Sequence, residues 1–302
     1  MREPWRRLVA LASVLAVAHI AAARAAANLD LKSLTKTVVE LYAANAAGNG
    51  PDLKRPIGAG FLLEIPLLAN PNQSYKALVT ARHVVDPAWA KCPSATDPAV
   101  VYARVNKRSY DPTSGISGID FIRIELQEKG KPNWWHFHDD DVDAAVLPVQ
   151  VDYSIYDVNA VHVALFPTDQ DMAVLEPADP VLSVGLLPEE TTRNYPIVQV
   201  GAVASIPLED IETRCTVDSP VILLKEWLIA AGLAPANGGA PIFNMPSGGP
   251  NGGARQPRPL ILGLQAMPYP GSDIVGMTPI GYVYQILQAL KLAGANLQRG
   301  SP

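Results

Sequence analysis

The sequence predicts an all-β fold, either a barrel or a packed pair of sheets. Short runs rich in β-branched and aromatic residues recur along the chain between turn residues, and 28 prolines and 22 glycines supply those turns. The runs do not alternate with helices in the way that builds a parallel sheet. Only the end of the chain has clear helical spacing, with Tyr284, Leu287 and Leu290 at steps of three residues.

The predicted strands are spread over both halves of the chain. In the first half they are residues 58–65, 77–80, 100–105, 121–126 and 144–147, and in the second half 180–185, 197–201, 221–224 and 260–264. Residues 37–42 are rich in β-formers but also fit a helical stripe, so both structures stay open there. Residues 237–259 are rich in Gly, Pro and Asn, which predicts a long loop interrupted only by the apolar residues 241–243.

The N-terminus has the three parts of a secretory signal peptide. Arg2, Arg6 and Arg7 precede an apolar run over residues 8–23, and an alanine-rich stretch over residues 21–27 follows. The run is too short and too rich in alanine to span a membrane comfortably. We therefore expect cleavage after Ala25 or Ala27, a secreted or periplasmic protein, and no stable membrane anchor afterwards.

Charge and cysteine content narrow the possible functions. Charged residues make up 18% of the chain and the net charge is −5, so the clustered basic face that nucleic-acid binding needs is not expected. The two cysteines are Cys92 and Cys215. In an exported chain such a pair indicates either a disulfide or two buried free thiols.

Three short motifs follow one another along the chain. Residues 80–85 read Thr-Ala-Arg-His-Val-Val and include His83, and residues 143–148 read Asp-Ala-Ala-Val-Leu-Pro and begin with Asp143. Residues 235–243 read Pro-Ala-Asn-Gly-Gly-Ala-Pro-Ile-Phe. This order and spacing resembles the trypsin-like (chymotrypsin-fold) serine peptidases, especially their bacterial exported members. Their motifs are Thr-Ala-x-His-Val-Val, Asp-x-Ala-Val-Leu and Pro-Gly-Asn-Ser-Gly-Gly-Pro-Val-Phe.

The resemblance implies a fold and a division of the chain. It implies two six-stranded antiparallel β-barrels, the first at about residues 34–150 and the second at about 151–282, with a short C-terminal helix at about 280–293. Residues 1–27 would then be the signal peptide and residues 28–302 the peptidase-like domain. The catalytic residues of this family lie in a cleft between the barrels.

The resemblance also implies roles for individual residues. His83 matches the general base, which takes a proton from a serine hydroxyl, and Asp143 matches the carboxylate that orients it. Asp139, Asp140 and Asp141 are rivals, but only Asp143 directly opens the apolar run as the family pattern requires. The oxyanion loop of the family corresponds to Ala236, Asn237 and Gly238.

This third motif departs from the family at two positions. Gly238 occupies the position of the nucleophilic serine, and Ala236 occupies a position where glycine is usual and whose N–H is an oxyanion donor. Glycine has no nucleophilic atom, and removing such a serine typically costs about 10⁶-fold in turnover. We therefore expect a peptidase homologue without catalytic activity that binds a peptide or protein in the cleft.

Two other functions stay open at this stage. One is an active serine endopeptidase that uses a displaced serine such as Ser247, which lies in the sequence Ser-Gly-Gly-Pro but lacks the apolar strand that should follow. The other is a structural exported β domain. His136 and His138 stand before three aspartates, yet an exposed aromatic and acidic loop explains them better than a metal site does. We expect no metal and no cofactor.

Overall fold

The all-β fold is confirmed, with two sheets that divide the chain. The computed structural model describes residues 31–93, 99–113, 117–187, 192–216, 218–231, 237–245, 259–269 and 271–299. The expected signal peptide, Ala236 and Ser247 lie outside these residues. None of the described helices has the length and the apolar run needed to cross a membrane.

The first half forms an eight-stranded sheet, where six strands were expected. Its strands are β1 (Val38–Ala44), β2 (Pro51–Pro66), β3 (Ser74–Thr80), β4 (Val100–Asn106), β5 (Ile119–Glu125), β8 (Trp135–His136), β9 (Ala145–Pro148) and β10 (Val161–His162). The order is β5-β4-β1-β2-β3-β9-β8, and β10 pairs with β2 in parallel, so the sheet includes residues beyond 150. A separate two-stranded ribbon joins β6 (Gln127–Glu128) to β7 (Lys131–Pro132).

Residues 38–42 belong to strand β1, and the helical alternative is wrong. Strand β1 pairs antiparallel with β2 on one side and with β4 on the other, and its residues are buried on both faces. Val39 and Leu41 enter the main core, while Glu40 on the other face lies 3.4 Å from the Arg104 guanidinium and accepts a hydrogen bond from the Tyr42 hydroxyl. The charged Glu40 in the middle of this strand therefore has a buried partner, Arg104, which the sequence did not reveal.

The second half forms a closed six-stranded barrel. Its strands, in barrel order, are β11 (Pro180–Leu186), β12 (Pro196–Ser205), β15 (Trp227–Ala230), β18 (Ile274–Pro279), β17 (Ile261–Pro268) and β16 (Pro241–Asn244). A hairpin of β13 (Ile211–Thr213) and β14 (Ile222–Leu224) forms a separate two-stranded sheet. Closure leaves no unpaired edge around the ring of six strands.

The helices among the described residues are short except for the last. They are α1 (Leu31–Leu34), α2 (Arg82–Val85), a 3₁₀ helix (Val163–Leu165), α3 (Asp169–Ala173) and α4 (Ile280–Leu290). Helix α4 ends at Leu290 because Lys291 takes a left-handed conformation with φ of 48°, so the helix is shorter than the expected 280–293. It packs against β8 and β9 of the first sheet and against β17 and β18 of the barrel.

One apolar core extends across both halves. It includes Leu78 and Leu147 from the first sheet, Val184 and Leu264 from the barrel, and Leu287 from α4. A smaller core that includes Val181, Ile229, Ile242 and Met277 occupies the barrel. Because the main core is shared, the two halves are held in a fixed relative position.

A disulfide joins Cys92 to Cys215, with their Cα atoms 5.6 Å apart. It links the segment after α2 to the segment after β13, so it also connects the two halves. Trp89, Leu224 and Met267 pack around it in a small buried cluster.

Candidate active site

His83 lies on α2, the single helical turn that directly follows β3. Arg82, Val84 and Val85 are buried, whereas 19% of the His83 side chain is exposed. The turn is anchored at Thr80, whose hydroxyl donates a hydrogen bond of 2.6 Å to the carbonyl of Ala59. This packing turns the imidazole of His83 away from the core and toward the second half of the chain.

Asp143 contacts His83 at two points, the imidazole ring and the backbone N–H. Its Oδ2 lies 2.7 Å from His83 Nδ1, and its Oδ1 accepts a 3.0 Å hydrogen bond from the His83 backbone N–H. The Asp143 side chain is fully buried, and the Thr278 hydroxyl on β18 donates to its backbone carbonyl at 3.1 Å. A carboxylate only accepts hydrogen bonds, so Nδ1 carries the hydrogen and Nε2 is left as the reactive nitrogen.

Gly238 lies directly in front of His83 Nε2. A Cβ atom built on Gly238 would be 3.1 Å from Nε2 and 3.3 Å from Cε1. A side-chain hydroxyl at this position would therefore come within hydrogen-bonding reach of Nε2. The glycine thus stands where a nucleophile would meet its general base.

The loop around Gly238 is fixed by backbone hydrogen bonds to both halves. The Gly238 carbonyl accepts from Ala59 N–H on β2 at 2.7 Å, and the Gly239 N–H donates to the Gln265 carbonyl on β17 at 2.7 Å. Asn237, a member of the expected oxyanion loop, uses its side-chain oxygen to accept from the Leu186 N–H at 3.1 Å. Ala236 and Ser247 lie outside the described residues, so this loop is described only from Asn237 onward.

Asp139, Asp140 and Asp141 each pair with a cation and not with His83. Asp139 lies 3.1 Å from Lys225, Asp140 lies 2.7 Å from Arg82, and Asp141 pairs with Lys91. The Asp141 backbone N–H and the Lys225 ammonium together lower the pKa of Asp139. Two of these cations are shared, because Arg82 also pairs with Asp86 and Lys225 also pairs with Asp210.

Glu226 is a residue near the dyad that the sequence did not reveal. It lies between β14 and β15, is 3% exposed, and rests against the bare backbone of Gly276, where an added Cβ would lie 2.0 Å from Glu226 Oε2. Neither carboxyl oxygen has a hydrogen-bond partner among the described residues. Burial, and secondarily the negative charge of Asp143, raise the pKa of Glu226 well above its usual value. The raised pKa favours the protonated, neutral form of the Glu226 carboxyl.

The other three histidines in the described part of the chain have local partners. His136 Nδ1 lies 2.5 Å from the Phe137 carbonyl, and the His138 ring packs on the Phe137 ring with centroids 4.2 Å apart. His162 Nδ1 accepts from the Ala164 N–H at 3.0 Å and caps the 3₁₀ helix, and burial lowers the pKa of His162. Within the described ranges, no three His, Cys, Asp or Glu side chains are placed to hold a metal ion.

Comparison with known proteins finds similarity only among solved structures. No protein-family model matches the sequence, and no curated protein matches it. The chain is similar to the MamO protease domain from Magnetospirillum magneticum in its apo form, with 14% identity, coverage of 84% of this chain and 96% of that chain, and a TM-score of 0.46.

Two structures of one further protease are also similar. An inactive form of Rv3671c from M. tuberculosis is 14% identical, with coverage of 87% of this chain and 90% of that chain and a TM-score of 0.44. A second inactive form of the Rv3671c protease is 13% identical, with coverage of 86% and 91% and a TM-score of 0.43. The chemistry of this chain has to be argued from its own residues.

Proposed function

We propose that this protein is an exported trypsin-like peptidase homologue that binds a peptide or protein in the cleft between its halves and does not cleave it. The observation that carries the proposal is the position of Gly238, whose Cβ would lie 3.1 Å from His83 Nε2. A general base is in place, oriented by a buried carboxylate, and the residue it faces has no atom that can attack a carbonyl.

The chemistry that remains is limited. Without a nucleophile no acyl-enzyme forms, and turnover is expected to fall by about 10⁶-fold relative to a complete triad. Some acceleration of water attack survives the loss of triad members in such sites, but it is far below that of an active peptidase. Binding is affected less, because the cleft is made by the two halves and not by one hydroxyl.

The retained dyad favours a binding role over a purely structural one. A carboxylate that is fully buried, as Asp143 is, costs free energy unless it is hydrogen-bonded, and here both of its oxygens are used by His83. A β domain with no ligand would gain nothing from this arrangement at the open side of the cleft, since an apolar pair would pack there at lower cost.

Two features support export as part of the proposal. The N-terminal sequence has the composition of a signal peptide, and the disulfide between Cys92 and Cys215 is of a kind that persists in oxidising compartments such as the periplasm or the exterior of the cell. Both fit a secreted or periplasmic protein that meets peptides outside the cytoplasm.

The proposal is tested with one cleavage assay and one binding assay on the purified protein. We expect no release of fluorescence from labelled casein by the wild type, and cleavage by Gly238→Ser, which restores a hydroxyl in front of His83. Gly281→Ser is the matched control, because Gly281 on α4 faces open space and its variant should stay inactive. The wild type immobilised on a resin should also retain peptides from a tryptic digest of casein.

Two results would replace this function by another. Cleavage of casein by the wild type that is abolished in Ser247→Ala would establish an active endopeptidase with a displaced serine. No retention of peptides by the wild type, together with no cleavage by a folded Gly238→Ser variant, would leave a structural β domain.

A further inference from the structure

Strand β5 lies at an edge of the first sheet. Among the described strands it pairs only with β4. One residue beyond the end of this pair, the Leu126 N–H donates to the Ala99 carbonyl at 2.9 Å. Bonded and non-bonded pairs alternate along antiparallel strands, so Ile124 and Ile122 also exchange hydrogen bonds with β4. The backbone groups of Arg123, which lies between them, therefore point to the free edge.

This edge presents one backbone donor and two backbone acceptors. By the same alternation the backbone of Phe121 points outward, and its N–H donates to the Asp120 carboxylate at 2.8 Å. The described residues provide no partner for the Phe121 carbonyl or for the N–H and carbonyl of Arg123. Backbone groups left open in this way are a template for a further strand.

A groove of about 600 Å³ runs beside this edge. Phe121, Ile122 and Arg123 form one wall, and residues 150–153 together with Tyr156 form the other. The wall on β5 is three residues long, or about 10 Å. Ile122 and Tyr156 are half-buried against the main core, so the surface inside the groove is largely apolar.

We propose that this groove binds a polypeptide segment in an extended conformation, which adds to the first sheet as a strand beside β5. The inference goes beyond the proposed function, because the residues that line the groove do not include His83, Asp143 or Gly238. Main-chain hydrogen bonds to Phe121 and Arg123 would hold the segment in register. Every second side chain of the segment would then enter the groove, which gives the site its specificity.

The charges on the walls favour a segment that carries lysine or arginine. The charged residues that line the groove are Arg123 and Asp152. Arg123 is paired with Glu125 at 2.9 Å. Asp152 has no ion pair among the described residues, and hydrogen bonds from the hydroxyl and the backbone N–H of Ser154 lower its pKa. The Asp152 carboxylate is therefore ionised and open to a cationic side chain.

The cations around the groove are paired with other carboxylates. Lys76 pairs with Glu64 and lies over the Tyr153 ring. Three cations surround the Asp157 carboxylate, namely Lys36, Arg108 and Arg193. Asp120, which accepts from the Tyr156 hydroxyl at 3.3 Å, adds a second negative charge beside the groove.

Fluorescence anisotropy with a defined peptide tests this inference. The probe is a heptapeptide of alternating valine and lysine, with an N-terminal fluorescein and a C-terminal amide. A second probe has the same sequence with every backbone nitrogen methylated, which removes the donors for the carbonyls of Phe121 and Arg123 and keeps the charge. We expect the wild type to bind the first probe about tenfold more tightly, because two main-chain hydrogen bonds are lost with the second.

Two substitutions at one position separate the backbone of β5 from its side chain. Arg123→Pro removes the outward N–H and leaves the hydrogen bonds to β4 in place, so it should weaken binding of the first probe about fivefold. Arg123→Ala is the matched control, since it keeps the N–H and should bind at least as tightly as the wild type. Asp152→Asn should weaken binding about threefold, and circular dichroism establishes that each variant is folded.

Three results would overturn the added strand. Equal binding of the two probes by the wild type would exclude main-chain pairing, whether or not the variants fold. Unchanged binding in a folded Arg123→Pro variant would place the peptide elsewhere, such as in the cleft, and would leave the proposed function standing. Absence of binding to the wild type would overturn this inference alone, because the proposed function is judged by the retention of casein peptides and by cleavage in Gly238→Ser.

Discussion

At the scale of single residues, one carboxylate fixes the reactive histidine. Asp143 contacts both the backbone N–H and the ring of His83, so the imidazole cannot rotate without breaking a buried hydrogen bond. The three motifs, taken in their order and spacing, predicted that His83 and Asp143 act together, and the structure places His83 Nδ1 2.7 Å from Asp143 Oδ2. The catalytic roles of the two residues stay a prediction. Glu226 escaped prediction, since a charged residue beside a β-run gives no sign in the sequence that its carboxyl will be buried.

The buried carboxyl of Glu226 makes the free energy of unfolding depend on pH. Burial raises the pKa of Glu226 in the folded state above its ordinary value of 4.5, so the folded protein keeps a proton that the unfolded chain releases. The free energy of unfolding therefore falls as pH rises above about 4.5, by up to about 1.4 kcal/mol per pH unit. The fall ends at the pKa of Glu226 in the folded state. Glu226→Gln has no proton to lose, and its free energy of unfolding should exceed that of the wild type increasingly in this window.

Urea denaturation at several pH values between 4 and 8 measures this difference. Below pH 4.5 the two proteins should have nearly the same free energy of unfolding, apart from a constant offset caused by the amide. A difference that does not change with pH would show that Glu226 is ionised in the folded protein. Asp169→Asn is a useful control, because the Asp169 side chain is exposed and pairs with Arg299 at the surface.

At the scale of elements, the turn from Asn237 to Ala240 positions Gly238. The Ala240 N–H donates to the Asn237 carbonyl at 2.8 Å, which closes the turn, and Gly239 adopts a φ of +91°. This conformation is rare for L-residues and is used here to bring the loop against β2. A Cβ on Gly239 would lie 2.2 Å from the Ala59 carbonyl, so the close approach requires glycine for a second reason.

Gly239→Ala should therefore lower the free energy of unfolding more than a Gly→Ala substitution at another position with positive φ where an added Cβ has free space. Gly271 is that control, with φ of +77° and nothing within 4 Å of an added Cβ. Gly271→Ala is expected to cost about 1–2 kcal/mol from the left-handed backbone alone. Gly239→Ala adds overpacking worth about 1–3 kcal/mol. Urea denaturation measures the free energy of unfolding of both variants. Equal decreases in Gly239→Ala and Gly271→Ala would mean that the loop does not pack closely against Ala59.

The longer strands could be predicted from the sequence, whereas the shortest strands could not. Alternation of β-runs and turns predicted the class, and the strands at 77–80, 100–105 and 180–185 match β3, β4 and β11. The short strands β8 and β10 have two residues each and are defined only by their partners, so no local pattern predicts them. They raise the first sheet to eight strands, and pairing between distant segments is a tertiary property.

At the scale of the whole molecule, the site exists because the two halves are held together. His83 and Asp143 come from the first half and Gly238 from the second, and hydrogen bonds from Ala59 N–H to the Gly238 carbonyl and from the Thr278 hydroxyl to the Asp143 carbonyl cross between them. The two halves are also held together by the shared core, by helix α4 and by the disulfide. These contacts hold Gly238 in front of His83 Nε2. The central claim of the proposed function is that a serine at position 238 would be activated by His83.

Labelling with a fluorophosphonate probe tests that claim most directly, because the probe reacts only with a serine activated by a correctly placed base. We expect no labelling of the wild type, labelling of Gly238→Ser, and loss of that labelling in Gly238→Ser combined with His83→Ala. Labelling of the wild type, or a folded Gly238→Ser variant that stays unlabelled, would contradict the account, since His83 would then not be poised over position 238.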